Sequence, residues 1–235
     1  VFRSWWSGMI ALRTVDDISL VQRLNATAYR FSIEWARVEP KRGVWNDEAW
    51  AGYRARAEAL VKAGIRPVVT LHHFTHPSWF HGECPWTSPA SLPAWKRYVD
   101  KCAEVLEGID AAIITLNEPN VFLMGGFLAG VMPPGVKDGR QLYAAYANMV
   151  RAHVLARQAF LDRAKGRPIT MGISQHLQVF APERRWHPID QALTRLAEAN
   201  FNHAFLEALT TGTLAIQMPG LAAGKTRIDG AEKSQ

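Results

Sequence analysis

The chain has 235 residues, of which 48% are hydrophobic and 20% are charged. This length and composition allow a large core and exclude an intrinsically disordered chain, so we expect one domain over residues 1–235. The formal net charge is +6, but the basic residues are scattered along the chain, which disfavours a nucleic-acid-binding surface.

Short apolar runs alternate with amphipathic helical stretches along the chain. The predicted strands are Ala28 to Ile33, Pro67 to His72, Ala111 to Leu116 and Ile169 to Gln175. The predicted helices are Asp16 to Leu24, Asp47 to Ala63, Leu92 to Leu106, Gly139 to Ala164 and Ile189 to Thr211. Connections of this length predict right-handed crossovers and a parallel sheet of the α/β class. The tail after Gly212 is predicted to supply no fifth strand.

Polar side chains follow each predicted strand near its end. They are Arg30, Ser32 and Glu34 on the first strand, His72 and His73 on the second, Asn117 and Glu118 on the third, and Gln175 and His176 on the fourth. In parallel α/β folds, ligands bind at the carboxyl ends of the strands, where the loops converge. The four strands therefore predict one shared pocket.

The third strand ends in the segment Thr115-Leu116-Asn117-Glu118-Pro119. Pro119 cannot donate to a strand ladder and biases Glu118 away from helical geometry, so strand pairing is expected to stop here. The Glu118 carboxyl should then point into a pocket mouth rather than into the core. We interpret Glu118 as the candidate catalytic acid.

The other polar residues each have a structural alternative. Arg30 lies inside a strand, and a buried guanidinium needs a carboxylate or a ligand, which favours a functional role. A lone histidine beside an apolar run is more often a core residue, and Glu34 could accept hydrogen bonds from a loop. Trp79 and Trp86 either pack in the core or stack on sugar rings.

A metal site at His72, His73 and Glu118 is a further alternative, because histidine and carboxylate ligands are common in catalytic zinc sites. Adjacent residues on a strand point to opposite faces, which disfavours a shared ion. Cys84 and Cys102 fit neither a disulfide framework nor a metal-ligand spacing, so we expect free thiols in a reducing compartment. We expect neither a metal nor another cofactor.

The first residues lack the pattern of a signal peptide, and no stretch has the ~20 apolar residues that cross a bilayer. We therefore expect a cytoplasmic protein with no membrane partner. Because the sequence opens at Val1 rather than at methionine, we also expect a missing upstream segment.

Three ordered segments carry a family resemblance. They are Asn25 to Trp35, Pro67 to Phe74 followed by Pro77 and Trp79, and Thr115 to Asn120. Together they resemble glycoside hydrolase family 1, the β-glucosidase family of (β/α)8 barrels. Weaker similarity continues through Pro134-Gly135 and Asn202 to Leu206. The resemblance implies a partial (β/α)8 TIM barrel whose strands correspond to barrel strands two to five.

The resemblance also implies a retaining β-glycosidase mechanism. Glu118 would be the acid/base, Asn117 would bind the sugar 2-hydroxyl, and His73 would bind another hydroxyl of that ring. Arg30 would lie beside the nucleophilic carboxylate and hold it ionised. Trp79 and His176 are further candidates for substrate contact.

The chain departs from the family at the nucleophile. The family's nucleophile is a glutamate on strand seven, usually in a Thr-Glu-Asn-Gly-like motif, and these residues contain no such motif. The family's first strand, with its sugar-binding glutamine, is also missing, because residues 1–13 form an irregular, Trp-rich segment. We therefore expect the isolated chain to hydrolyse β-glycosides weakly or not at all.

Glu34 does not suit the role of a replacement nucleophile. Two strand spacings place its backbone about 9 to 10 Å from that of Glu118, whereas retaining chemistry needs carboxyls ~5 to 5.5 Å apart. An inverting pair works at ~6.5 to 9.5 Å, but little else in the sequence supports one.

Two other functions stay open. A non-catalytic carbohydrate-binding or assembly half-barrel would associate with itself or with a missing-half partner, since four strands leave two open edges and an apolar interior. A binding protein for phosphorylated sugars would use the positive charge, but no Gly-rich phosphate cradle accompanies it.

Overall fold

The computed structural model of the chain describes residues 14–217 and 224–233. Its main feature is a four-stranded parallel sheet in the order β1-β2-β3-β4. The strands are Ala28–Ser32 (β1), Arg66–His72 (β2), Ala112–Asn117 (β3) and Thr170–Ser174 (β4). The predicted parallel α/β sheet is confirmed. The irregular segment predicted for residues 1–13 lies outside the described residues.

Helices connect the strands and flank the sheet at both ends. They are Thr14–Arg23 (α1), Trp35–Val38 (α2), Asp47–Lys62 (α3), Ser78–Glu83 (α4), Ser91–Val105 (α5), Pro119–Leu123 (α6), Gly139–Ala164 (α7), Pro188–Glu198 (α8) and Ala204–Thr211 (α9). The side chain of Asn46 accepts a hydrogen bond from the Ala49 backbone at 3.0 Å and so begins α3. Asp138 caps α7 in the same way.

Aromatic side chains hold the long helices against the sheet. Trp35, which follows β1, stacks on Tyr98 of α5 with ring centroids 4.6 Å apart. The Tyr98 hydroxyl donates to the Leu71 carbonyl at 2.8 Å, and the Trp95 indole donates to the Ala152 carbonyl at 2.8 Å. Because each buried polar tip has a partner, these rings fix α5 to β2 and α7 without an unpaired donor.

The predicted helix from Ile189 to Thr211 is divided by a π-helical turn at Ala199–His203. The side chain of Asn200 donates to the Gln217 carbonyl at 2.6 Å, and Asn202 donates to the Gln178 carbonyl at 2.7 Å. These long-range amide bonds lie within the widened turn, and π-turns of this kind are rare and hard to predict from sequence. A second π-turn, Met124–Leu128, follows α6.

In the described residues, the tail after Gly212 adds no strand to the parallel sheet, but it forms two short strands that were not predicted from the sequence. Thr213–Ile216 (β5) and Gly224–Arg227 (β6) form an antiparallel pair, separate from the parallel sheet. Leu214 and Ile216 are buried, so β5 has the alternation of a half-buried strand. With four residues, that alternation is too short to stand out in the sequence.

Two predictions from composition can be compared with the described residues. Cys84 and Cys102 are both free and buried, which confirms the expected thiols. Within residues 14–217 and 224–233, none of the helices combines the length and apolar character that crossing a membrane requires.

Candidate active site

Glu118 occupies the turn between β3 and α6. Its backbone is left-handed, with φ 43° and ψ 57°, and Pro119 begins the helix immediately afterwards. Such a conformation costs a non-glycine residue on the order of 1–3 kcal/mol unless the surroundings hold it. The Glu118 N–H donates to the Ser174 carbonyl of β4 at 2.6 Å. The strand end and the proline therefore fix the backbone of a half-buried carboxyl at the edge of the sheet.

Arg30 links the three strands that precede β4. Its Nη2 donates to Asn117 Oδ1 at 2.5 Å, and its Nε donates to Thr70 Oγ1 at 2.9 Å. The guanidinium thus orients the amide that directly precedes Glu118. Thr70 lies inside an apolar run, so nothing in the sequence singled it out as a partner for Arg30.

The expectation that Arg30 is buried is wrong. The residue is exposed, and none of the described carboxylates lies within salt-bridge distance of it. Its hydrogen-bond acceptors, an amide and a hydroxyl, are neutral. The sheet is open in the described residues, so no further strand covers this side of β1. The positive charge of Arg30 therefore lies in the site without a described carboxylate bonded to it.

His73 lies close to both charged residues of this group. Its Nδ1 is 2.8 Å from Ser32 Oγ, so Ser32 fixes the ring orientation. Partial burial and the Arg30 charge lower the pKa of His73 below its ordinary value, and the Glu118 charge raises it in part. The structure therefore brings Arg30, His73, Asn117 and Glu118 together, and it presents His73 as a neutral ring.

Two other predicted residues have different surroundings. The Trp79 indole donates to the Glu39 carbonyl at 2.9 Å, and the ring packs edge-on against Trp35. The exposed His176 packs edge-on against Phe201 with centroids 5.8 Å apart. These contacts do not include the Arg30–Glu118 group, and a substrate role for either residue stays a prediction.

Glu34 accepts hydrogen bonds from the loop after β2. The Thr75 hydroxyl lies 3.1 and 2.9 Å from its two carboxylate oxygens. Between His73 and Thr75, Phe74 has a left-handed φ of 67°. The bonds from Ser32 to His73 and from Thr75 to Glu34 therefore hold a strained loop against β1. Thr75 carried no signal in the sequence.

His72 has surroundings unlike those of His73. It is buried beside Trp86 and Phe122, with ring centroids 5.5 and 5.4 Å away. Burial holds its pKa well below the ordinary value, and in the part of the chain described neither ring nitrogen has a hydrogen-bond partner. Those same residues contain no group of three or more ligand side chains arranged for a metal ion. The geometry thus gives no support to the alternative metal site.

Comparisons with known proteins place the chain in a family. The sequence model described as "Glycosyl hydrolase family 1" matches residues 12–230. The cytosolic beta-glucosidase of Cavia porcellus is 33% identical over 158 residues, which cover 64% of this chain and 34% of that protein. The 6-phospho-beta-glucosidase GmuD of Bacillus subtilis is 29% identical, covering 84% of this chain and 42% of that protein.

The fold is similar to that of solved barrels. The beta-glycosidase from Pyrococcus horikoshii superposes with a TM-score of 0.83 at 32% identity, covering 93% of this chain and 49% of that one. The chain thus spans one third to one half of the length of these relatives, and its sheet corresponds to part of their TIM barrels. The matches extend over nearly all of the present sequence. The chain belongs to glycosyl hydrolase family 1.

Proposed function

We propose that this chain carries the acid/base half of a retaining β-glycosidase site, with Glu118 as the general acid/base. The observation that supports this most directly is the group at the end of β3. There a carboxyl held in a strained turn follows an amide that is oriented by an arginine. Family membership supports the reaction class.

In the first step, a carboxylate from outside the described residues attacks the anomeric carbon. The glycosidic C–O bond breaks, and Glu118 gives its proton to the leaving oxygen. In the second step, Glu118 takes a proton from water, whose oxygen attacks the same carbon and releases the attacking carboxylate. Arg30 is exposed and lacks a carboxylate partner among the described residues, so it is available to pair with the incoming carboxylate.

The remaining residues would bind the sugar. Asn117 has an amide nitrogen to offer because its oxygen already accepts from Arg30, and His73 has its Nε2 to offer because Nδ1 faces Ser32. Trp79 and His176 would contact more distant parts of the substrate. No step calls for a metal or another cofactor.

We further propose a β-glucoside as substrate and a cytosolic location. The names of the cytosolic relatives from Cavia porcellus and Homo sapiens support both proposals. The Bacillus subtilis relative is named a 6-phospho-beta-glucosidase, so an aryl 6-phospho-β-glucoside belongs in the same assay.

A second candidate function is a carbohydrate-binding or assembly half-barrel without catalysis. One observation favours it, namely the two edges of the parallel sheet that no described strand covers. Its distinguishing property would be sugar binding that persists without any Glu118-dependent turnover.

The proposed acid can be tested in the isolated chain by supplying a nucleophile. Azide is a small anion that Arg30 can attract to the position of the missing carboxylate. Its terminal nitrogen would bond to the anomeric carbon of an aryl β-glucoside, while the phenolate leaves and is protonated by Glu118. We expect no phenol release without azide, and azide-dependent release with formation of the inverted glycosyl azide.

Three variants show which carboxylate is responsible for the activity in this assay. Glu118→Gln should lose the azide-dependent release for poor leaving groups, and Glu83→Gln, a change of a surface carboxylate, should keep it. Equal rates in Glu118→Gln and the parent chain would show that Glu118 is not the acid. Robust hydrolysis without azide that Glu118→Gln abolishes would show that the chain contains a second catalytic carboxylate. In that case Glu34→Gln would test the carboxylate that follows β1.

A further inference from the structure

The backbone pairing between β3 and β4 ends at the Glu118 turn. The two strands pair as far as Asn117 and Ser174, and the Glu118 N–H still donates to the Ser174 carbonyl at 2.6 Å. The next residue, Pro119, has no N–H, so it cannot continue the pairing. The next hydrogen bond between this turn and the segment after β4 comes from a side chain.

Asn120 makes that hydrogen bond. Its side chain is fully buried, and Nδ2 donates to the His176 carbonyl at 2.8 Å and to the Phe201 carbonyl at 3.0 Å. Both acceptors are carbonyl oxygens, so the two bonds fix the orientation of the amide and use both of its hydrogens. Oδ1 is buried and has no partner among the described residues. The Asn120 side chain therefore serves as a donor to two backbone segments.

The π-turn Ala199–His203 provides one of these two acceptors. A π-turn changes the helical pairing from i→i+4 to i→i+5, which lets a carbonyl oxygen turn toward side chains of other elements. The Phe201 carbonyl accepts from Asn120 and also from Gln175 Nε2 at 3.3 Å. The irregular turn thus presents an acceptor to the residues that follow β3 and β4.

The π-turn is itself fixed to two other segments. Asn202 Nδ2 donates to the Gln178 carbonyl at 2.7 Å, and the Gln178 N–H donates back to Asn202 Oδ1 at 3.0 Å. Asn200 and Gln217 form the same reciprocal pair, at 2.6 and 3.1 Å. Because both asparagines use donor and acceptor together, the Phe201 carbonyl between them has a fixed position. Asn120 therefore bonds to a rigid anchor.

We propose that Asn120 is a positioning residue for Glu118, and that the π-turn is the anchor through which it holds this carboxyl at the edge of the sheet. The left-handed backbone of Glu118 persists only where its surroundings hold it. The Ser174 bond holds it on one side and the Asn120 bonds hold it on the other. The inference deepens the proposed function and rests on it for proton transfer, but the position of the carboxyl is measurable without turnover.

The His73 ring reports where the Glu118 carboxyl lies. Burial and the Arg30 charge lower the pKa of His73, and the Glu118 charge raises it in part. Asn120→Leu keeps the side-chain volume but removes both N–H donors, so the turn should relax and carry the carboxyl away from the ring. We expect the NMR titration midpoint of His73 to fall, as it does in Glu118→Gln. In the Glu118→Gln background, Asn120→Leu should cause no further fall, because the charge is already absent.

Asn148→Leu is the matched control. Asn148 is also buried, and its amide also donates to a backbone carbonyl, that of Trp86 at 2.8 Å. This substitution removes a bond of the same kind without touching the Glu118 turn, so it should leave the His73 midpoint unchanged. Asn120→Leu is expected to fold, because it also removes a buried oxygen that has no described partner.

The azide assay measures the consequence for proton transfer. Asn120→Leu should reduce azide-dependent release of a poor leaving group by about 10- to 100-fold, because a small misplacement of a reacting group has an effect of this size. Release of 2,4-dinitrophenol, which leaves without protonation, should change little. Asn148→Leu should keep the parent rate with both substrates.

Two results would overturn the inference. One is an unchanged His73 midpoint in Asn120→Leu, and the other is an equal fall with and without the Glu118 carboxyl. If Asn120→Leu does not fold, Asn120→Ser, which keeps a single O–H donor, enters the same cycle and is judged by the same two results. Failure of the proposed function looks different. The expected His73 shifts, together with azide-dependent release that Glu118→Gln leaves unchanged, would contradict the acid role alone.

Discussion

Glu118 and Arg30 act on the same neutral histidine with opposite electrostatic effects. The Arg30 charge lowers the pKa of His73 and the Glu118 charge raises it. Charges act measurably on a titrating ring only over short distances in water and salt. The histidine is therefore an internal probe of whether the three side chains lie together in solution.

Titration of His73 by NMR should show a midpoint below the ordinary value of 6.5. Arg30→Met should raise this midpoint because it removes a nearby positive charge. Glu118→Gln should lower it because it removes a negative one. Arg42→Met, which changes a surface arginine that pairs with Glu83, is the control and should leave it unchanged. Shifts of the same sign in the two test variants would contradict the arrangement.

His76 makes stability depend on pH. Burial, and to a smaller extent the His81 charge, lower its pKa from 6.5 to about 4. The unfolded chain therefore binds the proton more readily than the folded one. The stabilisation is fully present above pH 6.5 and is lost as the pH falls toward 4, with a total on the order of 3 kcal/mol.

Replacing His76 should reduce this acid sensitivity. In His76→Phe, the free energy of unfolding by urea should fall less steeply between pH 6.5 and 4 than in the parent chain. His203→Phe changes an exposed histidine and should leave the slope unaltered. An unchanged slope in His76→Phe would show that the ring titrates normally in the folded state.

At the scale of elements, a buried carboxylate holds the segment that follows β1. Glu39 is fully buried and accepts from Arg97, from the Trp35 indole at 2.8 Å and from the Gly43 backbone at 2.8 Å. Arg97 also lies over the Trp79 ring at 5.7 Å. This carboxylate therefore connects α2, the loop after it and α5.

Glu39→Ala should destabilise the fold by about 3 kcal/mol, since it leaves a partly buried guanidinium and two N–H groups without their acceptor. Urea unfolding measures the change. Glu83→Ala is the control, because the Arg42–Glu83 pair is half exposed and contributes less than ~1 kcal/mol. Equal effects of the two substitutions would show that the Glu39 network does not stabilise the protein.

The elements of the parallel sheet were predictable because their signals are long and local. Apolar runs such as Ala111 to Leu116 and helical periods such as Gly139 to Ala164 repeat over enough residues to be recognised. The hairpin of β5 and β6 was missed because each strand has four residues. The π-turn at Ala199–His203 was missed because its amide bonds join segments far apart in sequence.

The candidate site was predictable where a residue type is conspicuous in its position. A strand-ending Asn-Glu-Pro and an arginine within a strand both indicated chemistry. Thr70 and Thr75 were not predictable, because a hydroxyl in or just after an apolar strand is recognised only once the register of β1 and β2 is known. The exposure of Arg30 depends on which strands are absent beside it, which local sequence does not encode.

At the scale of the whole molecule, the described sheet is half of the barrel that its structural relatives form. The group at the end of β3 contains a proton donor, an amide and a guanidinium, and the proposed mechanism takes its attacking carboxylate from outside the described residues. A carboxylate next to Arg30 would complete the proposed retaining pair, and azide is expected to take that position in the isolated chain.

The dependence of azide-promoted cleavage on the leaving group tests the role of Glu118 most directly. A general acid matters for a poor leaving group such as methanol and hardly at all for 2,4-dinitrophenol, which leaves without protonation. We expect Glu118→Gln to slow release of methanol from a methyl β-glucoside by roughly 10²- to 10⁴-fold. Azide-promoted cleavage of the dinitrophenyl β-glucoside should keep nearly its original rate. Equal losses for both substrates, or no loss for either, would contradict the assignment of Glu118 as the proton donor.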